Sequence, residues 1–294
     1  MNNLQFNIYV SKRVILFICA SLLCIILGSV IVQVVMHGGM TTPRIRIATV
    51  FQDITFFIMP AIITAIICCR QPADFLMIKN VPKFGLILLT IGIIVASVPM
   101  MNAIIEWNMS LQLPENMHGI EEWMKNSEKN AMKFTEILIG GSGIKSYIAA
   151  LLIVGVLAGF SEELFFRGTI QRLFTTSGVN LHLAVWTTAF IFSAIHLQFY
   201  GFIPRLMLGV FFGYAVAWSG NLWLGIIAHF TNNAIAATGM TIGKGADIAS
   251  QMQQTIETTG LVMHKTGTLA IVFSVLLTGI LIYIFKRVSQ TSCD

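Results

Sequence analysis

The chain contains a succession of apolar runs whose length matches the hydrocarbon thickness of a bilayer. A transmembrane helix needs about 20 consecutive and mostly apolar residues, and about eight segments of this sequence meet that requirement. The composition agrees, because 56% of the residues are hydrophobic and only 11% are charged. We therefore predict an all-α fold: a polytopic membrane protein whose residues 1–294 form a single bundle of about eight transmembrane helices. The predicted spans are 14–36, 45–69, 84–107, 146–174, 180–199, 203–218, 222–240 and 267–285.

Both ends of the chain carry basic residues next to apolar runs. Lys12 and Arg13 precede the first run, and Lys286 and Arg287 follow the last one. Lys and Arg are enriched in the cytoplasmic flanks of membrane helices, and an even number of crossings leaves both ends on one side. We therefore predict a multi-pass cell-membrane protein with both termini in the cytoplasm. The first run is too long for a cleaved signal peptide and lacks a small-residue cleavage site, so we interpret it as an uncleaved helix.

The net charge and the positions of the cysteines argue against two classes of protein. The formal net charge of +5 comes from dispersed basic residues, without the basic stripe that binds nucleic acid. Four of the five cysteines lie inside apolar runs, which is not the pattern of a disulfide framework. The expected surroundings are therefore the lipid bilayer, and no nucleic acid partner is predicted.

The fourth apolar run contains two adjacent carboxylates and an arginine, in the sequence GFSEELFFRG. One ionised side chain at the centre of a bilayer costs about 2.5–3.5 kcal/mol, so three together need partners or water. On a helix Glu163 and Arg167 share a face and are predicted to form an ion pair. Glu162 lies about 140° around the helix from Arg167 and is left over. A lone carboxylate in apolar surroundings favours proton uptake, as a general base must; a salt bridge that only fixes helix packing is the alternative.

Two later apolar runs also carry polar side chains at helical spacing. His196 follows Phe192 by four residues, and Asn233 follows His229 by four. A lone histidine on a helix is usually a packing residue. Buried polar groups in lipid need hydrogen-bond partners, however, so two imidazoles, an amide and a carboxylate pair on three helices are predicted to surround one shared polar cavity.

Together these residues resemble the three motifs of a known family. Glu162-Glu163-x-x-x-Arg167, Phe192-x-x-x-His196 and His229-x-x-x-Asn233 are similar to the motifs of the CPBP family, the CAAX-protease and bacteriocin-processing intramembrane proteins, also called Abi proteins. The resemblance covers residues 151–237, within a predicted catalytic core of about 146–240. The first half of the chain supports it only through its number of helices.

The resemblance implies an intramembrane glutamic endopeptidase without a cofactor. Glu162 would be the general base that activates water, and His196 would help to hold that water. His229 and Asn233 would stabilise the oxyanion, and both can donate hydrogen bonds. Glu163 and Arg167 would support the site. The substrates would be prenylated CAAX-type tails, leader or bacteriocin peptides, or segments of membrane proteins.

Other chemistries use similar residues. A zinc hydrolase could take His and Glu side chains as ligands, but the sequence contains no His-Glu-x-x-His motif, so we predict no metal site. The letters of residues 140–143 match the Gly-x-Ser-Gly of a serine mechanism, yet Ser142 lies in a polar link, and glycine-serine clusters usually mark loops.

Two non-enzymatic functions are the remaining alternatives. A membrane scaffold or bacteriocin-immunity protein could keep the polar core for packing or for partner binding. A proton-coupled transporter could use the carboxylates as a proton site, although the sequence shows neither an inverted repeat nor paired broken helices.

Two further features complete the prediction. Residues 108–145 alternate in charge sign among aromatic and apolar residues, which is typical of an amphipathic helix at the membrane surface. Asp53 lies near the start of the second span, where it can hydrogen-bond locally or face water, and we do not assign it to the catalytic site.

Overall fold

The computed structural model describes residues 3–111, 113–141, 143–241 and 267–290, and the side chains of residues 12 onward within these ranges, except residue 115. Three sequence features fall outside the described residues: Ser142, the polar loop over 242–266, and Cys293. The described chain is helical. Its main helices are α1 (Asn3–Met36), α2 (Thr42–Cys68), α3 (Phe84–Met109), α4 (His118–Ile139), α5 (Ile144–Thr176), α6 (Leu181–Ala194), α7 (Phe202–Ser219), α8 (Leu222–Thr241) and α9 (Thr268–Gln290).

The prediction of an all-α membrane bundle is confirmed. Each of the eight predicted spans overlaps a helix in the described ranges, and six of these helices are long and apolar enough to cross a membrane: α1, α2, α3, α5, α7 and α9. Of the other two, α8 is less apolar and α6 is shorter. The orientation of the termini stays a prediction.

The fifth predicted span differs most from the structure. We predicted a helix over 180–199, whereas α6 has 14 residues and ends at Ala194. Asn180 caps its beginning by accepting a hydrogen bond from the His182 amide. At its end, Leu197 adopts a left-handed backbone with φ 53°, so the chain turns. A helix of this length spans about 21 Å, less than the hydrocarbon core, and His196 lies in the turn that follows it.

Helix α5 lies at the centre of the described bundle, because α2, α6 and α8 all pack against it. It is interrupted by two π-helical turns, Leu151–Leu157 and Phe166–Gln171, and α2 contains another at Asp53–Ile58. Such turns shift the side chains that follow them around the helix axis and are frequent at functional sites. On the outside of this core, α1 packs along α2, and α9 packs along α3.

Helix α4 corresponds to the amphipathic segment predicted over 108–145. It packs against α2, α5, α8 and the short turn Phe199–Gly201. Its end is held by Arg46 of α2, which donates hydrogen bonds to the carbonyl oxygens of Leu138 at 3.0 Å and Gly140 at 3.0 Å. The helix is not among the apolar spans, and its extramembrane position stays a prediction.

Gly225 allows α8 to approach its neighbours closely. A Cβ atom at this position would lie 2.7 Å from Val216 Cγ2 and 2.9 Å from Glu163 Oε2. We expect Gly225→Ala to lower the free energy of unfolding by about 1–3 kcal/mol, because overpacking a dense interface forces its neighbours to move. Thermal unfolding of the purified protein in detergent measures this change.

The matched control is Gly239→Ala on the same helix, where a Cβ atom would meet nothing within 4 Å. This substitution should leave the protein as stable or raise its stability by about 0.5–1 kcal/mol, since alanine is the better helix former. Equal stabilities of the two variants would contradict the close approach at Gly225.

Candidate active site

A buried carboxylate joins two other helices to α5. Arg167 Nη1 donates a hydrogen bond of 2.6 Å to Glu163 Oε1, and both side chains are fully buried. The Nδ1–H of His229 on α8 donates to the same oxygen at 3.0 Å. Arg167 Nη2 donates to the carbonyl oxygen of Gly209 on α7 at 2.8 Å. The ion pair predicted from the i, i+4 spacing is present, and it also orients a histidine that the spacing alone does not connect with it.

Aromatic rings surround the Arg167 guanidinium. Its central carbon lies 4.7 Å from the ring centre of Phe192, 5.4 Å from that of Phe212 and 6.0 Å from that of Phe166. The negative faces of aromatic rings attract a cation. The positive charge is therefore stabilised by one carboxylate and by three rings, in a place with no exposure to solvent.

Two imidazoles converge on the second carboxylate. His196 Nε2 and His229 Nε2 each lie 3.9 Å from Glu162 Oε2. This separation is too long for a direct hydrogen bond, and it is one that a water molecule can bridge. The structure therefore brings Glu162 of α5, His196 of the turn after α6 and His229 of α8 together.

Hydrogen bonds at Nδ1 set the orientation of both rings. His196 Nδ1 lies 2.7 Å from the carbonyl oxygen of Phe192, which can only accept, so the nitrogen carries the proton. His229 Nδ1 donates in the same way to Glu163. In the neutral rings, Nε2 is then the hydrogen-bond acceptor. Both acceptor nitrogens face Glu162 Oε2.

Asn233 is placed differently from the other predicted residues. Its Nδ2 donates a hydrogen bond of 2.8 Å to the carbonyl oxygen of Val154 in the first π-helical turn of α5, and its Oδ1 accepts one of 3.3 Å from Asn232. Among the described residues these are its side-chain hydrogen bonds, and neither involves Glu162 or the histidines. Asn233 joins α8 to α5 and has a second N–H on the same nitrogen.

The sequence motifs do not include Arg205 of α7, which the structure places near the site. Its Nη2 donates a hydrogen bond of 2.6 Å to Gln198 Oε1, two residues after His196. The guanidinium lies within electrostatic range of Glu162, His196 and Glu128. The signal that could have found it is its position in an apolar span, since intramembrane arginines usually have a functional or structural partner.

Glu128 connects α4 to this region. It is 5% exposed, and the backbone of Tyr200 and the charge of Arg205 act on its carboxylate. Five residues earlier on the helix, the ring of Trp123 packs on that of Phe199 with centres 5.0 Å apart. Burial raises the pKa of Glu128 above its usual range, and the charge of Arg205 opposes this shift. The helix therefore covers the turn that carries His196.

The raised pKa makes the docking of α4 depend on pH. A carboxylic acid with a higher pKa in the docked state binds more protons there, so docking gains stability as the pH falls through that pKa and loses it as the pH rises. We expect amides of α4 to be better protected from hydrogen exchange at pH 5 than at pH 8, after correction for intrinsic exchange rates.

Glu128→Gln should remove most of this pH dependence, because the amide does not titrate. Glu122→Gln, an exposed glutamate on the same helix, should leave it unchanged. Protection that rises with pH in the wild type would contradict the assignment of Glu128.

The fold and the site together define a class of protein. It is a multi-pass helical membrane protein in which two carboxylates, two imidazoles and an arginine, contributed by α5, α8 and the turn after α6, meet in the interior. Among the described residues, no group of three or more His, Cys, Asp or Glu side chains is arranged so that it could hold a metal ion.

Comparison with known proteins finds one family model that matches part of the chain. Residues 144–235 match the family described as Rce1-like, the type II CAAX prenyl endopeptidases. This segment contains every residue of the three motifs. The resemblance to the CAAX-protease family is therefore confirmed over the motif-bearing segment.

One curated relative adds to this result. The chain is 30% identical over 97 residues to the uncharacterized protein YpbD of Bacillus subtilis (strain 168). The aligned part is 32% of this chain and 47% of that protein, so the match spans about half of the relative's length. No solved structure matches the chain significantly.

Proposed function

We propose that the protein is a metal-independent intramembrane endopeptidase in which Glu162 activates the attacking water. The observation that carries this proposal is the convergence of His196 Nε2 and His229 Nε2 on Glu162 Oε2, each at 3.9 Å. A water molecule between these three acceptors can donate one hydrogen to the carboxylate and the other to an imidazole. A base placed in this way can take a proton from the water as the water attacks a peptide carbonyl.

The reaction can be written with the protons balanced. The water oxygen forms a bond to the carbonyl carbon while one water proton moves to Glu162. The tetrahedral intermediate then breaks its carbon–nitrogen bond, and Glu162 returns the proton to the leaving amine as a general acid. The products are a new carboxyl terminus and a new amino terminus, and Glu162 is again ionised.

His229 and Asn233 are the proposed donors to the oxyanion. Because His229 Nδ1–H is engaged with Glu163, the ring must carry both protons in order to donate from Nε2. Asn233 would contribute its second amide N–H, while the first remains on the Val154 carbonyl. Donors that are already oriented before charge develops stabilise a transition state most effectively.

The proposed substrates are peptides or proteins that reach the site from the membrane. The family match favours CAAX-type, prenylated tails, and leader peptides and segments of membrane proteins are the other classes. The lipid bilayer is the second partner, since six of the described helices are long and apolar enough to span it.

The first test replaces the proposed base. Glu162→Gln should lower the rate of peptide hydrolysis at least about 100-fold, because an amide cannot accept the proton. The measurement is cleavage of a library of prenylated and unprenylated peptides by the purified protein in liposomes, followed by mass spectrometry. Glu122→Gln on the exposed face of α4 serves as the control and should cleave like the wild type.

Two outcomes would contradict the proposal. Hydrolysis by Glu162→Gln at the wild-type rate would remove Glu162 from the mechanism. A wild-type protein that cleaves none of these peptides or the proteins of its own membrane, and yet protects cells from a bacteriocin, would favour the scaffold or immunity function.

The second test separates the base from the ion pair. Arg167→Ala leaves Glu163 buried without its main partner, and Glu163→Ala does the same to Arg167. Breaking a buried pair in this way costs about 3–5 kcal/mol, so both variants should unfold at clearly lower temperature. Glu162→Gln should unfold close to the wild type, because Glu162 makes no ion pair shorter than 3.9 Å among the described residues. Equal destabilisation by all three would contradict the division of roles between the two glutamates.

A further inference from the structure

Asp53 is a buried acid that the proposed mechanism does not use. It is 5% exposed and begins the π-helical turn Asp53–Ile58 within the membrane span of α2. The sequence left open that Asp53 faces water, and the structure instead places it in the interior. A carboxyl group inside an apolar span is expensive to bury, and this cost makes a functional contact the default expectation.

The π-helical turn brings Asp53 next to the catalytic segment. It packs against Ala158–Phe165, the part of α5 that carries Glu162. The ring of Phe57 in the same turn lies 5.4 Å from that of Phe165 and 6.2 Å from that of Phe166. Asp53 and Glu162 are close enough to interact electrostatically.

Both acids have an oxygen without a partner. Asp53 Oδ2 and Glu162 Oε2 are buried, and neither makes a hydrogen bond within the described part of the chain. No basic side chain of the described ranges forms a salt bridge with Asp53. Two neighbouring carboxylates in apolar surroundings repel each other, and the arrangement is stable when they hold one proton between them.

The other polar groups of the site indicate what a proton held by Asp53 would do there. Before substrate binds, with both rings neutral, Glu162 Oε2 and the two imidazole Nε2 atoms are all hydrogen-bond acceptors, and a water molecule between them donates its two hydrogens to two of them. The oxygen of that water can still accept a hydrogen bond, and none of these three atoms can donate one. A protonated carboxyl group on α2 would supply this donor.

We propose that Asp53 is a positioning residue of the active site: its neutral carboxyl group donates a hydrogen bond to the water that Glu162 activates and leaves Glu162 as the ionised base. This inference rests on the proposed function. It adds a fourth structural element, α2, which lies outside the segment that matches the family.

The test compares three substitutions in the peptide-cleavage assay. Asp53→Asn keeps the size and an N–H donor but cannot ionise, so it should retain kcat within about threefold of the wild type. Asp53→Ala and Asp53→Leu lose the donor, and their kcat should fall about 100-fold with little change in KM, because the loss affects the orientation of the water rather than substrate binding. Asp74→Asn, an acid outside the apolar spans that pairs with Lys79, is the control and should behave like the wild type.

A second measurement does not depend on activity. Infrared spectra of the protein in liposomes at pH 7 should contain the carbonyl band of a protonated carboxylic acid, and the difference spectrum between the wild type and Asp53→Asn should show its loss. The Asp74→Asn difference spectrum should lack this feature.

The outcomes separate this inference from the proposed function. An Asp53→Asn variant that folds and is as inactive as Asp53→Ala would show that an ionised carboxylate is needed and would overturn the inference, and so would full activity of Asp53→Ala. If no peptide is cleaved by the wild type, the infrared result still decides: loss of the acid band on Asp53→Asn supports the shared proton, and an unchanged spectrum refutes it.

Discussion

The rest of the structure depends on how one positive charge is held inside an apolar bundle. Arg167 has no access to solvent, and its charge is compensated by Glu163 one turn earlier on the same helix. The pair also makes hydrogen bonds to other helices, since Glu163 accepts from His229 on α8 and Arg167 donates to Gly209 on α7. A local pair on one helix therefore fixes the positions of two others. A buried pair of this kind adds little to stability compared with apolar packing, and its value lies in the specific arrangement that it imposes.

The direction of Glu162 follows from this pairing. Adjacent residues on a helix point about 100° apart, so once Glu163 is turned toward Arg167 the neighbouring Glu162 must face a different side of α5. That side is the one that His196 and His229 reach. The same carboxylate that pairs with Arg167 also orients the His229 ring, and this makes Nε2 the atom that faces Glu162. The ion pair and the proposed catalytic centre therefore both follow from the local geometry of α5.

Rules of sequence spacing predicted the parts of this site that lie within one turn of a helix. The Glu163–Arg167 pair is four residues apart, and hydropathy located all eight helical segments. These rules could not predict the contacts of Asp53, Arg205 or Glu128, because the neighbours of these residues are distant in sequence and come close only through packing. They also extended the fifth span to residue 199, whereas α6 ends at Ala194, a boundary set by a turn that hydropathy does not detect.

The π-helical turns explain how an apolar helix can present polar groups at the required depth. In a regular α-helix every interior carbonyl is occupied by the amide four residues later, whereas a wider turn leaves one carbonyl without its usual donor. Val154 lies in such a turn of α5, and its carbonyl oxygen accepts the hydrogen bond of Asn233. The turns of α2 and α5 also contain Asp53 and Arg167. In lipid, where water does not satisfy backbone groups, a distorted turn persists only where another helix supplies the missing partner. At these turns the regular backbone hydrogen bonds of a helix are interrupted, and polar contacts between helices become possible. In the described chain the turns lie on both sides of Glu162 in α5 and on α2 beside it.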